Sequence, residues 1–414
     1  MPKMKDSGIE WVGQCPAHWE IMANKYIMKK IKHIKVVYED EDILSLTMKG
    51  VIVRDLEAGG KMPSSFDGYQ ILYPNNLLMC LFDYDVTPRC IGLIKNYGLS
   101  SPAYSQFVMK NENYEGYYYY YYLMIDNTKE LLHLAKNLRH SFTEEQLGLI
   151  HAPMPPIEEQ IAIANYLDKK CSEIDELYED IQAEINLLEE YKRSVITETV
   201  TMGMHLNELV ETKHSYIKFH PKNWAFIKAG YIFRENNRPA QINDCSLSLS
   251  QKDGLIKTDD MTEHSLKTGT YKGWKHVIKG DLVLNRFKAH LGVFFSSYYD
   301  GMVSFHYGVY EALLEINSKF FEYLFHSKPY CDMFAELSNG ITVGLQNLSN
   351  GNFYSAKCVY PPIKEQNEIV DYLDDKCKEI NAIIEMKREQ LTVLDEYRKA
   401  IIYEYVTGKK EVNV

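Results

Sequence analysis

Two stretches of the chain carry apolar residues at alternating steps of four and three. The first runs Leu167, Cys171, Ile174, Tyr178, Ile181, Ile185, Leu188 and, after Lys192 takes one position, Val195. The second runs Leu373, Cys377, Ile380, Ile384, Leu391, Leu394 and Ile401, interrupted by Lys387 and Arg398. Such spacing predicts a coiled-coil seam. Neither Pro nor Gly falls between Ile157 and Thr201 or between Ile363 and Thr407. A Pro-Pro pair before each stretch sets the helix entry, and Gly203 and Gly408 stand where a helix should stop. Each helix should cover about 45 residues, a length of roughly 65 Å. A one-sided stripe of that length needs cover. Either the two helices pair, antiparallel in a duplicated chain, or each packs on its own domain. The residues expected to pair the helices or dock a partner are Leu167, Ile174, Ile181, Leu188, Leu373, Ile380, Leu391 and Leu394.

Elsewhere the apolar runs are short and end at turn signals. Residues 71–82 and 277–287 are examples, with Pro74-Asn75-Asn76 and Lys279-Gly280-Asp281 as turns. Residues 98–104 and 301–307 read as loops, and residues 117–124 and 320–325 as the beginnings of helices. The fold class is therefore α/β (α+β), with a curved sheet or partial barrel in each globular part. The expected division is a globular unit over 1–156, a long helix over 157–205, a globular unit over 206–360 and a long helix over 361–414.

This order is a duplication. Residues 155–175 read PPIEEQIAIANYLDKKCSEID and residues 361–381 read PPIKEQNEIVDYLDDKCKEIN, at an offset of 206 without gaps. Glu190-Tyr191-Lys192 faces Glu396-Tyr397-Arg398 at the same offset. Weaker echoes precede them: Pro16 and Trp19 answer Pro221 and Trp224, and Ser45-Leu46 answers Ser248-Leu249. Six consecutive tyrosines, 117–122, fall opposite Phe320-Phe321-Glu322-Tyr323-Leu324-Phe325. Mostly apolar partners favour packing over base stacking as their role. The globular units have diverged and the helices have not.

The chain has 414 residues, 45% apolar and 25% charged, which allows two to four domains. Its net charge of −11 argues against a nucleic-acid binder until it is mapped. Residues 157–201 hold 12 acids against 4 bases, and residues 363–407 hold 11 against 7. The globular parts are near neutral, −2 over 1–156 and +2 over 206–360. Two basic runs remain there. One is Lys29, Lys30, Lys32, His33 and Lys35. The other extends from Lys267 to His290, with Asp281 its only acid. Each is either a solvated strand face or a set of phosphate contacts.

The motifs of chemistry are absent. There is no phosphate-binding glycine loop, no dinucleotide fingerprint, no zinc-protease helix and no nucleophile elbow. Neither Pro-Pro pair has the Asn, Asp or Ser before it and the aromatic after it that adenine methyltransferases require. A metal-dependent nuclease made of scattered Asp, Glu and Lys would leave no such signature. The eight cysteines form no C-x-x-C pair, which suits a reducing cytoplasm. No apolar stretch is long enough to span a membrane, and the N-terminus lacks a signal-peptide core. A cytoplasmic protein is expected.

The motifs that are present resemble those of a family. Asp6-Ser7-Gly8-Ile9-Glu10-Trp11 with Pro16-Ala17-His18-Trp19-Glu20, the doubled Pro-Pro-Ile-x-Glu-Gln with its Tyr-Leu-Asp, the Glu-Tyr-Lys/Arg pairs, and Pro102-Ala103-Tyr104 resemble specificity subunits of type I restriction-modification enzymes. The resemblance covers essentially the whole chain. The second copy lacks the Gly-Ile-Glu-Trp block and has Phe305-His306-Tyr307 in place of Pro102-Ala103-Tyr104. The resemblance implies a non-catalytic subunit with two target-recognition domains, each reading one half of a split, asymmetric site on double-stranded DNA. It implies helices that set the spacer and bind two modification (methyltransferase) subunits, with ATP-driven restriction subunits completing the nuclease. It places S-adenosylmethionine, ATP and Mg2+ on those partners and no cofactor on this chain. By residue type and loop position, DNA contacts are expected from Arg54, Arg89, Tyr104 and Ser105, and from Lys272, Lys275, Arg286, Lys288 and His306. Two other readings stay open: a nuclease or methyltransferase acting alone, and a scaffold that never touches DNA.

Overall fold

A computed structural model describes residues 3–58, 63–135, 140–205, 208–241, 243–250, 254–260, 271–338 and 347–412. Two compact units emerge. Unit 1 is Met1–Ile181 with Arg388–Val414, and unit 2 is Gln182–Lys387. The long helices Ile157–Met202 and Ile363–Val406 are each unbroken. Every unit therefore contains a globular part and one stretch of both helices.

The globular parts repeat one topology. In unit 1 a four-stranded antiparallel sheet runs in the order Met28–Ile31, Ser105–Met109, Leu77–Met79, Ile91–Leu93. In unit 2 the order is Phe233–Glu235, Tyr307–Ala312, Leu282–Asn285, Phe294–Ser296. Hairpins match too: Leu44–Thr47 with Gly50–Val53, and Leu247–Ser250 with Gly254–Lys257. Before each long helix a short strand returns to pair near the start of its unit, His151–Met154 on Glu20–Ala23 and Lys357–Tyr360 on Ala225–Lys228.

One expectation fails in both copies alike. Residues 98–104 and 301–307 are not loops throughout. They open as strands Gly98–Ser100 and Gly301–Val303, paired with Gln70–Leu72 and Lys275–Val277. Their first residues, Gly98 and Gly301, mark close backbone approach. A Cβ on Gly98 would lie 2.5 Å from the Asp42 carbonyl oxygen, and one on Gly301 would lie 2.5 Å from that of Cys245.

The tyrosine run forms the helix Glu115–Thr128, with Tyr117, Tyr118, Tyr120, Tyr121 and Tyr122 buried. Its counterpart, Ser318–His326, buries Phe320, Phe321, Leu324 and Phe325. Trp19 meets Tyr117 edge-on at 6.3 Å, as Trp224 meets Phe320 at 6.3 Å. The tyrosines are core residues, and some of their hydroxyls reach partners: Tyr120 donates to Asp168 (2.7 Å), and Tyr117 to the Val406 carbonyl (2.8 Å), whereas the Tyr122 hydroxyl is buried without one.

The doubled motif is a clamp. The buried Gln160 side chain donates to the Pro155 carbonyl (2.8 Å) and accepts from the Tyr114 N–H (2.8 Å). Gln366 does the same with the Pro361 carbonyl (2.8 Å) and the Asn317 N–H (2.9 Å). Asp168 and Asp374 accept the hydroxyls of Tyr120 and Tyr323. Each clamp ties a helix entry to its globular part.

The two long helices pack on each other and run antiparallel. In unit 1, Tyr166 packs against Tyr405 (ring centroids 4.4 Å apart) and Arg398 pairs with Asp175. In unit 2, Lys387 pairs with Glu184, and Lys192 donates to Asn381 (2.8 Å). The three basic residues that interrupt the apolar seam are thus the cross-helix ties. Leu167, Ile174, Leu373 and Ile380 are buried, while Ile181, Leu188, Leu391 and Leu394 are half-buried. Tyr178 departs from the expected seam and stands 44% exposed. A four-three repeat drifts around a straight helix, and a tyrosine at the stripe's edge can keep its hydroxyl in water.

Candidate nucleic-acid interface

The end of the unit 2 sheet gathers the candidate residues of that half. Strand pairing of Asn285 with Tyr307 brings the start of the short helical turn Arg286–Leu291 near His306. Pairing of Lys275 with Val303 brings residues 272–274 to the same edge. Gly273 lies there too, and a Cβ on it would be 4.0 Å from the Phe305 Cβ. Lys272, Lys275, Arg286, Lys288 and His306 therefore share one corner. Lys267 lies outside the described residues.

They do not share one role. Lys275 is withdrawn, its side chain 12% exposed, and donates to Glu235 (2.9 Å) and the Tyr307 carbonyl (2.9 Å). Arg286 donates to the same Glu235 oxygen (2.5 Å) and to Asn350 (2.9 Å). Tyr310 also donates to Asn350 (2.8 Å), whose amide nitrogen bonds Glu235. Burial opposes ionisation of Glu235, but hydrogen bonds from Lys275 and Asn350 and the Arg286 charge outweigh it and lower its pKa. Lys275 and Arg286, expected to reach bases, have their cationic heads engaged within the protein in this structure. Lys288 and His306 are exposed, as is Lys272. Charge-based reading of the sequence overlooked Phe287 (44% exposed) and Phe305 (55%) at this corner. Phe305 and His306 pack together, ring centroids 3.9 Å apart and planes tilted by 38°. Exposed aromatics in turns were the available signal.

In unit 1 the candidates scatter. Ser105 is buried in the central strand opposite Met79, so its hydroxyl does not face solvent. Arg89 donates to Asn127 (3.0 Å) and pairs with Asp126 at 3.4 Å, anchored to the tyrosine helix. Tyr104 is half-buried, 5.9 Å from Phe82, and burial raises its pKa. Arg54 follows the hairpin and is half-buried. Of the basic run, Lys35 is bound by Glu39 (2.6 Å) and Glu41 (2.7 Å), and Lys30 by Glu144. Lys29, Lys32 and His33 remain exposed, with Lys32 donating to the Pro102 carbonyl (3.0 Å).

Among the described residues no three of His, Cys, Asp and Glu come together to hold a metal, and no helix is long and apolar enough to cross a membrane.

Residues 221–393, which hold this corner and its clamp, match the family model of the type I restriction modification DNA specificity domain. The match places a type I restriction modification DNA specificity domain in the second half of the chain. Two solved structures share the fold across nearly the whole length. One is described as "Structural basis underlying complex assembly and conformational transition of the type I R-M system"; its chain is 12% identical with a TM-score of 0.69, covering 96% of this chain and 99% of that one. The other is the HsdS subunit from Thermoanaerobacter tengcongensis, 12% identical with a TM-score of 0.54, covering 96% and 98%.

Proposed function

We propose that each unit reads one half of a bipartite, asymmetric site on double-stranded DNA, and that the long helices set the spacer. The observation that carries this reading is one sheet topology presented twice on unbroken helices, with unlike residues at the sheet ends. A duplicated frame with diverged tips suits two readers of different sequence. The helices also dock two modification subunits, which bring S-adenosylmethionine and methylate adenine. Restriction subunits add ATP- and Mg2+-dependent translocation and cleavage. Their acidic faces suit protein contacts and keep DNA to the near-neutral sheet ends.

Mapping methylated adenines in DNA from cells that co-express this chain with its modification subunits tests the reading. A two-part motif with a fixed gap is expected. A single continuous motif, or methylation by this chain alone, would overturn it.

A further inference from the structure

We propose that the Phe305–His306 pair, with Phe287 on the neighbouring turn, is the base-contacting wedge of unit 2, and that Arg286 and Lys275 are positioning residues beneath it. This rests on the DNA-reading function proposed above and deepens it.

Two phenylalanines at the end of one sheet are left largely in water, and Phe305 packs on the neighbouring His306. The turn that carries them is fixed from below. Lys275 holds the Tyr307 carbonyl, and Arg286 holds Glu235 and Asn350 at the start of the 286–291 turn. Two cations against the single Glu235 carboxylate leave this base net positive. Exposed Lys288 extends the positive rim. Flat apolar rings on a rigid, cationic seat suit a polyanion that offers flat apolar faces between its charges, which is a base step of duplex DNA. Unit 1 lacks the device: Pro102 and Ala103 stand where Phe305 and His306 stand, and Tyr104 turns toward Phe82. The wedge would therefore act at one half-site only.

The test uses the assembled modification enzyme, with S-adenosylmethionine, on duplexes that carry its mapped site and a 2-aminopurine at successive steps. Wild type should raise the fluorescence at one step of the unit 2 half-site, reporting unstacking. The F305A/H306A variant, with unchanged Tm, should lose that signal and bind the half-site about tenfold or more weakly. The other half-site should be read as before. Arg286→Ala should also lose the signal, and Arg286→Lys should restore part of it, because a positioning cation can be replaced by another. An unchanged signal and affinity in F305A/H306A would sink the wedge while leaving two-part reading intact. A wild-type assembly with no sequence preference would sink both.

Discussion

Glu235 stands between Lys275 and Arg286 with only 12% of its side chain exposed, so its charge is worth more than a surface carboxylate's. Glu235→Gln leaves two cations facing each other in a poorly hydrated place. We expect a loss of about 3–5 kcal/mol in unit 2, read by denaturant unfolding. The lowered pKa fixes the sign of the acid response. Stability from this carboxylate is present above the ordinary carboxylate range and is lost as pH falls through its depressed value. The variant should therefore unfold with a weaker dependence on acid. An equally steep acid transition would mean that Glu235 is not the group responsible. Asp281 works in the opposite direction, because burial raises its pKa despite the Ile278 N–H and Arg238. Residue type in the sequence marked this corner as cationic. It could not tell a cation held by Glu235 from one free to meet a phosphate, since Glu235 lies 40 and 51 positions away from its partners.

At the scale of elements, the seam was the most legible feature. A four-three repeat depends only on neighbours in sequence, so helix extent and pairing direction followed from it and from the duplication. The interruptions Lys192, Lys387 and Arg398 looked like defects there. In the structure each reaches the opposite helix, to Asn381, Glu184 and Asp175. Polar seam residues commonly fix register at a cost in stability. Replacing all three by Leu should raise the Tm yet permit shifted or intermolecular pairing, visible as a broadened mass distribution in light scattering. A variant that gains stability and stays uniform would remove the register role. The strands were harder to read. Gly98 and Gly301 carry the same signal in a turn as beneath a crossing backbone, and only the Asp42 and Cys245 carbonyls distinguish the two.

For the molecule as a whole, the offset between copies is informative. It is 206 through the helices and 203 between Tyr117 and Phe320, so insertions and deletions accumulated in the globular parts alone. A ruler must conserve its length, and a reader need not. Adding seven residues to each long helix lengthens it by about 10 Å, or about three base pairs. The mapped spacer should grow by that amount with both half-sites unchanged; an unaltered spacer would remove the ruler role.

The glutamine clamps have a consequence for how such a chain can change. Apart from a bond between Gln160 and Asn113, Gln160 and Gln366 grip their globular parts through main-chain groups: the carbonyls of Pro155 and Pro361 and the N–H groups of Tyr114 and Asn317. A joint that reads backbone is indifferent to most side chains beyond it. Crossovers between genes within these similar joints would exchange whole readers like cassettes, giving a new DNA target in one step without refitting the frame.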